Sequence, residues 1–290
     1  VFGAGLILLL FLAADGLGKK ECLIAALLTA ISPAMVFYGR YYVQEILLVF
    51  FTFGVLACGW RYWNHPRWYW AVAAGVFAGL MHATKETCII AFGSMAAAML
   101  TVYLFHKIKG QKPAEPEMDH KAVRETWHVV LGIIAATGVS IVFFSSFFTN
   151  LIGPVHSLTA YWHYIARSDE GVHQHAWPYY MRILLFAKYG PGPWWSEGVI
   201  VVLSVIGAIA GIRSRRGAQR DFVFFLAVYT FCMTLIYTLI PYKTPWCLLS
   251  FLHGMILLAG VGAVAIFTFL PGRILKVMAA ALLLLAAGSP

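Results

Sequence analysis

The sequence predicts an all-α, polytopic membrane protein with about ten transmembrane helices in one membrane domain. Of its 290 residues, 61% are hydrophobic and 11% are charged, and the mean hydropathy is +0.79. Soluble domains carry roughly a quarter of charged residues, so this composition excludes an ordinary soluble protein. Because backbone N–H and C=O groups find no partner in lipid, each apolar stretch is expected to be helical.

Apolar stretches recur along the whole chain and define the predicted spans. Several have the roughly 17–25 residues that a helix needs to cross a bilayer, and the shorter ones are expected to tilt or to lie partly at the interface. The chain starts at Val1 and both terminal stretches look cut, so we expect residues 1–290 to be a fragment of a longer protein. The predicted spans are 1–14, 21–37, 46–62, 68–83, 87–105, 127–148, 196–212, 221–240, 246–270 and 274–290.

Lys and Arg are concentrated in alternate loops, which predicts the orientation. Fifteen of the 21 basic residues fall in one set of loops and six in the other. By the positive-inside rule the richer set is cytoplasmic. It includes the mixed-charge, Pro-containing segment 106–126, which is predicted to be a flexible linker. The net charge of +9 is therefore interpreted as a topological signal that meets anionic lipid, with no nucleic-acid partner.

Polar and ionisable residues gather in four of the loops that should face outward. These clusters are 37–45, 82–86, 173–180 and 241–246. Ionisable groups near a bilayer are costly and are candidates for function by default. Their position on one face predicts a single site at one membrane–water interface.

Each cluster also has a purely structural interpretation. Arg40 among tyrosines is of the type that extends to the interface to hydrate its charge. Glu45 and Glu86 each open a span, where a carboxylate is favoured by the helix dipole. Lys243 lies between two prolines that end one helix and start the next.

The longest outward segment, 149–195, is rich in aromatic residues and holds four of the ten histidines. Residues 155–167 are predicted to form a short helix along the interface, a level that suits aromatic side chains with a polar tip. The segment could serve as an aromatic belt or as a platform for sugars and lipid head groups, and the composition leaves both open.

Five motifs follow one another in an order that matches a known family. Ser32-Pro33 ends one span and Tyr38-x-Arg-Tyr-x-x-Gln-Glu45 opens the next; Ala83-Thr-Lys-Glu86, the His-containing segment 173–180 and Tyr242-Lys-Thr-Pro-Trp246 follow. The sequence thereby resembles the GT-C membrane glycosyltransferases, relatives of dolichyl-phosphate-mannose protein mannosyltransferases and lipid A aminoarabinose transferases. It is most similar to the flippase-activity-associated proteins of archaeal-type glycosylation.

The resemblance implies an enzyme that takes a sugar from a polyprenyl phosphate in the bilayer and transfers it to an acceptor glycan, lipid or protein. It also implies an active site facing outward from a membrane, which we expect to be the cytoplasmic membrane of a prokaryote. Transfer requires a base for the acceptor hydroxyl and cations, or a divalent metal, for the leaving phosphate.

The resemblance also implies roles for individual residues. Glu45 is the candidate catalytic acid, which would orient the acceptor or help to hold a metal. The candidate phosphate ligands are Arg40, Lys85 and Lys243. The candidate metal ligands are His173 and His175. The residues expected to line the substrate groove are Tyr41, Glu86, His175, Tyr179, Tyr180, Tyr242 and Trp246.

One feature of these enzymes has no counterpart in the sequence. They carry an acidic motif with the catalytic Asp in their first outer loop, and we expect it to lie before residue 1. Two other functions therefore stay open: a non-catalytic partner that binds lipid-linked sugar, and a component of a flippase or transporter. An upstream acidic pair would favour the enzyme, and its absence the binding partner.

Overall fold

A computed structural model describes residues 1–41, 43–110, 126–167, 173–186, 188, 191, 194–215, 217–270 and 272. The described residues are helical, with no β-strand among them apart from an isolated antiparallel bridge between Gln174 and Tyr242. The all-α prediction is therefore confirmed. The last predicted span, 274–290, and most of the predicted linker lie outside the described residues.

The α-helices follow one another in the order of the predicted spans. They are α1 (Phe2–Leu9), α2 (Ala14–Leu17), α3 (Lys19–Ile31), α4 (Pro33–Arg40), α5 (Glu45–Asn64), α6 (Trp68–Thr84), α7 (Cys88–Ile108), α8 (Thr126–Phe144), α9 (Gly153–Arg167), α10 (Tyr179–Leu185), α11 (Gly198–Ser214), α12 (Gly217–Leu239) and α13 (Leu249–Phe269). Short 3₁₀ turns at Leu10–Ala13 and Pro245–Leu248 precede α2 and α13.

The prediction of ten spans is not confirmed. In the described residues, α5, α7, α8, α12 and the segment Pro245–Phe269 are long and apolar enough to cross a membrane, and α3 with α4 gives a sixth crossing if counted as one bent span. The remaining candidates are shorter or interrupted: α6 and α11 have 17 residues each, at the lower limit for a crossing, and the helices within Phe2–Leu17 are interrupted. These helices support an integral membrane protein.

The span predicted at 21–37 is a broken helix. Its two parts, α3 and α4, meet at an angle of 57°. Ser32 ends α3, and its hydroxyl accepts a hydrogen bond from the Met35 N–H, 3.2 Å away, at the start of α4. Pro33 occupies the first position of α4, where its missing N–H costs nothing. The Ser-Pro pair thus caps a new helix rather than continuing the old one.

Close helix packing at small residues holds the bundle together. A Cβ atom on Gly75 of α6 would collide with the Gly132 backbone of α8, and one on Gly207 of α11 would collide with the Leu258 carbonyl of α13. Such contacts are typical of membrane helices, whose association depends on close packing. The span that contains α13 is 94% buried and forms the centre, whereas α8, at 11%, lies at the periphery.

The segment predicted as an outward loop is largely structured. The helix expected at 155–167 corresponds to α9, and α10 follows within the same segment. Three consecutive residues before α9 have positive φ values: Ser146, Phe147 and Phe148. Left-handed backbone is unfavourable for bulky side chains, and this turn ends α8 before the predicted limit of its span. The location of α9 at the interface stays a prediction.

Candidate functional site

A buried ion pair joins two of the predicted polar clusters. The Glu45 carboxylate at the first position of α5 contacts the Lys85 ammonium, which follows the last residue of α6. The side chain of Glu45 is 3% exposed and that of Lys85 is 19% exposed. A carboxylate at a helix N-terminus and a cation at a helix C-terminus are each stabilised by the helix dipole. The structural interpretation of Glu45 and its part in a polar site are therefore both consistent with this geometry.

Contacts continue from this ion pair into the Lys-Thr-Pro-Trp motif. The Cys247 thiol donates to the Glu45 Oε1 atom at 3.6 Å and lies 3.8 Å from the Lys85 Nζ atom. The Thr244 hydroxyl lies 3.1 Å from the same sulfur. Cys247, which the sequence suggested only as a packing residue, connects the two clusters.

Lys243 is almost fully buried, at 1% exposure. Its ammonium donates to the His175 carbonyl at 3.0 Å and to the Ile240 carbonyl at 2.5 Å. Burial lowers the pKa of Lys243, because the charged form loses its hydration. To reach a phosphate the side chain would have to leave these two carbonyls. Its role as a donor-phosphate ligand stays a prediction.

Two distant segments pair through their backbones around Lys243. The Lys243 N–H donates to the His173 carbonyl at 2.8 Å, and the His175 N–H donates to the Pro241 carbonyl at 3.1 Å. The ring of His173 lies across Tyr242, with centroids 5.3 Å apart. This pairing brings the third and fourth predicted clusters together.

Aromatic residues cover the paired segments. His175 stacks on Tyr179 with ring centroids 4.1 Å apart, and the buried Tyr180 hydroxyl donates to the Thr244 carbonyl at 3.2 Å. Burial raises the pKa of Tyr180, so this hydroxyl acts as a neutral donor. Trp246 is half-buried and packs against the core. Tyr180 and Trp246 thus support the site from within, and Tyr179 lies nearer its surface.

Two of the predicted site residues contribute no contact to this network. Glu86 is exposed beside Lys85, and Arg40 is exposed at the end of α4. Arg40 and Tyr41 line a separate open groove of about 570 Å³ together with Phe37, which stacks on Tyr41 at 6.0 Å. α4 turns away from α3 and carries Arg40 with it. The expectation that Arg40 and Glu86 share one site with Glu45, Lys85 and Lys243 stays a prediction.

Cations that the sequence analysis did not single out line a cavity beside the network. This cavity of about 300 Å³ is bounded by His175, Tyr179, Arg182 and Lys188, with apolar walls from Ile183 and Phe186. Arg182 and Lys188 are exposed, and Lys188 lies over the Trp194 ring at 5.1 Å. Both lie in segment 149–195, which carries three of the six outward Lys and Arg residues, so this charge was the available signal.

Glu197 is a second residue that the sequence analysis missed. It is 2% exposed and accepts hydrogen bonds from the Ser32 hydroxyl at 2.7 Å and the Ala34 N–H at 2.8 Å. Burial raises the pKa of Glu197, and the two hydrogen bonds oppose this shift. No sequence pattern linked residues 32 and 197, because their contact arises only from helix packing.

Other charged residues gather at the opposite ends of the same helices. Asp15 bonds to Arg61 at 3.1 Å and to the Trp60 ring nitrogen at 2.9 Å, near the end of α5 that is remote from Glu45. His106 and Asp221 pair at 2.9 Å where α7 ends and α12 begins. Asp15 thus contacts Arg61 and Trp60 rather than Glu45.

The described part of the chain contains no group of three His, Cys, Asp or Glu side chains that could hold a metal ion. His173 and His175 contact Tyr242 and Tyr179 instead. Their role as metal ligands stays a prediction.

Residues 1–114 match the family model of dolichyl-phosphate-mannose-protein mannosyltransferases. A comparison with curated proteins found no match. The matched region includes Glu45 and Lys85 and covers less than half of the chain. The match supports the GT-C superfamily and, with the apolar helices, a membrane glycosyltransferase that uses a lipid-linked sugar donor.

Proposed function

We propose that this chain belongs to a glycosyltransferase that moves a sugar from a polyprenyl-phosphate donor to an acceptor on the extracytoplasmic face. The observation that carries the proposal is the continuous set of contacts from Glu45 and Lys85 through Cys247 and Thr244 to Tyr180. These contacts lie at one end of the bundle. Two of the residues involved, Glu45 and Lys85, fall within the region that matches the family model. Membrane-embedded donors require such a location, because their phosphate lies at the surface while their chain stays in lipid.

The exposed side chains of Arg182 and Lys188 suggest how the donor phosphate would be held. Lys85 and Lys243 are engaged with Glu45 and with backbone carbonyls, whereas Arg182 and Lys188 border an accessible cavity with apolar walls. Guanidinium and ammonium groups bind phosphate through charge-assisted hydrogen bonds. We propose that this cavity receives the phosphate and that Tyr179 and His175 border the sugar. Arg40 in its groove is an alternative contact along the lipid.

Glu45 would act through Lys85 rather than alone. Its carboxylate fixes the ammonium at the inner end of the site, and the pair would orient the acceptor or the leaving phosphate. The base that removes the acceptor proton would be the acidic residue expected from the family resemblance. The orientation toward the cell exterior, the prokaryotic membrane and the flippase-associated subgroup are parts of this proposal that rest on the charge distribution and the motifs.

A non-catalytic partner that binds lipid-linked sugar is the second candidate. This candidate is favoured by the burial of Glu45 and its ion pair with Lys85. A carboxylate whose charge is balanced by a structural partner needs no catalytic role. Such a protein would bind the donor through the same cations without turnover.

Transfer of radiolabelled sugar from a polyprenyl-phosphate donor separates the two candidates. The full-length protein in detergent or liposomes should form labelled product, and an Arg182→Gln variant should require more donor. Donor binding without any product over a range of acceptors would refute the enzyme and support the binding partner.

A further inference from the structure

Glu197 lies where three elements of the outward end meet. Its side chain accepts two hydrogen bonds from the start of α4, and its own N–H donates to the Leu184 carbonyl of α10 at 2.7 Å. Its carbonyl accepts the Val201 N–H at 3.0 Å within α11. One residue therefore connects the helix that carries Arg40 with the helix that carries the aromatic residues of the site.

The bonds to Ser32 and Ala34 occur at the break between α3 and α4. Helix starts leave N–H groups without intrahelical partners, and a buried start needs partners from elsewhere. Ser32 supplies one for Met35, and Glu197 supplies one for Ala34. Without the carboxylate the Ala34 N–H would lose this acceptor in a buried turn. An unmade buried hydrogen bond is costly, so α4 should no longer be held in one orientation.

We propose that Glu197 is a positioning residue that holds α4, and with it Arg40 and Tyr41, against the turn between α10 and α11. The bend of 57° between α3 and α4 then has a defined direction. The groove lined by Arg40 and Tyr41 keeps a fixed position relative to the cavity bordered by Arg182 and Lys188. The catalytic consequence rests on the proposed function: a lipid donor that contacts both sites would bind less well once α4 moves.

Glu197→Ala, Glu197→Gln and Ser196→Ala form a matched set of variants. Gln keeps an oxygen where both hydrogen bonds end, so Glu197→Gln should behave like wild type. Ser196 lies in the same turn, but its hydroxyl donates to the Leu185 carbonyl at 2.8 Å. Its removal disturbs the turn while the bonds to α4 remain.

The first measurement does not depend on activity. Spin labels on cysteines at Gly39, where an added side chain meets open space, and at Val202, which is exposed on α11, report the distance between α4 and α11. The native cysteines are replaced in this background. Glu197→Ala should broaden the distance distribution, while Glu197→Gln and Ser196→Ala leave it as narrow as in wild type. A narrow distribution in Glu197→Ala overturns the proposal.

The second measurement is the kinetics of sugar transfer by the full-length protein. Glu197→Ala loses both hydrogen bonds to α4 and should raise KM for the polyprenyl donor about tenfold, with kcat changed less than about twofold. Rescue by Glu197→Gln is expected, since a general loss of packing would not be reversed selectively. An unchanged KM together with an unchanged distance refutes the positioning role.

Two further outcomes are informative. If wild type shows no transfer while the distances change as expected, the proposed function fails and the structural role of Glu197 stands. If Glu197→Ala does not fold, Ser32→Ala removes one of the two bonds to Glu197 together with the cap on the Met35 N–H, and leaves the bond from Ala34. It should broaden the distribution to a smaller extent, and a distribution identical to wild type then overturns the proposal.

Discussion

Replacing Glu45 by Gln tests whether the buried ion pair with Lys85 serves the structure, the chemistry or both. The substitution keeps the shape of the side chain and removes its charge. It removes the carboxylate charge that faces the Lys85 ammonium, and the Lys85 side chain is only 19% exposed. Breaking a fully buried pair costs about 3–5 kcal/mol. Because water reaches Lys85 in part, we expect a loss of about 2–3 kcal/mol in the free energy of unfolding.

The double variant Glu45→Gln/Lys85→Met separates stability from function. It removes both charges, and replacing a buried pair by neutral groups is often close to neutral. The double variant should therefore recover most of the stability that each single variant loses. If the pair takes part in transfer, its activity should stay lower by about 10²-fold, the effect of losing a group that assists proton transfer or orientation.

The assays are thermal stability of the full-length protein in detergent and transfer of radiolabelled sugar from the lipid donor. The helix-dipole role alone is worth only about 0.3–1 kcal/mol and affects no turnover. Activity that returns with stability in the double variant would refute a functional role for the pair. A Glu45→Gln variant as stable as wild type would refute the structural reasoning.

Three further predictions concern the end of the bundle that carries Lys243 and Arg182, and the orientation of the chain in the membrane. Lys243→Met should lower the free energy of unfolding by about 2–4 kcal/mol in chemical denaturation, because two buried carbonyls lose their donor. The control Lys188→Gln, at the exposed surface, should change it little, and equal effects of the two variants would contradict the burial of Lys243. Arg182→Gln should raise KM for the lipid donor about tenfold with little change in melting temperature, and an unchanged KM would remove the cavity from the donor site. In intact cells an impermeant thiol reagent should label Phe37→Cys but not Lys109→Cys, and the reverse pattern would overturn the orientation.

Much of the helical architecture could be predicted from the sequence, because hydropathy acts on each segment independently. The limits of α5, α7 and α13 lie close to the predicted spans. The Ser32-Pro33 pair was noted at a span end, but the break between α3 and α4 within the predicted span 21–37 was not predicted. The prediction of ten spans is not confirmed, because apolar composition alone does not distinguish a long continuous helix from a short or interrupted one.

The pattern of ionisable residues indicated one polar end of the bundle, where Cys247 and Thr244 connect Glu45 and Lys85 with the segment that carries Lys243. Sequence could not decide which of them is accessible. Tertiary packing pairs Lys85 with Glu45, buries Lys243 under two carbonyls and turns Arg40 away, while it exposes Arg182 beside a cavity. The joining of Ser32 to Glu197 depends on packing in the same way. Local composition determines where an ionisable residue can be placed near a bilayer at low free-energy cost. Its partner is determined by which helices come into contact, because those contacts connect residues far apart in the chain.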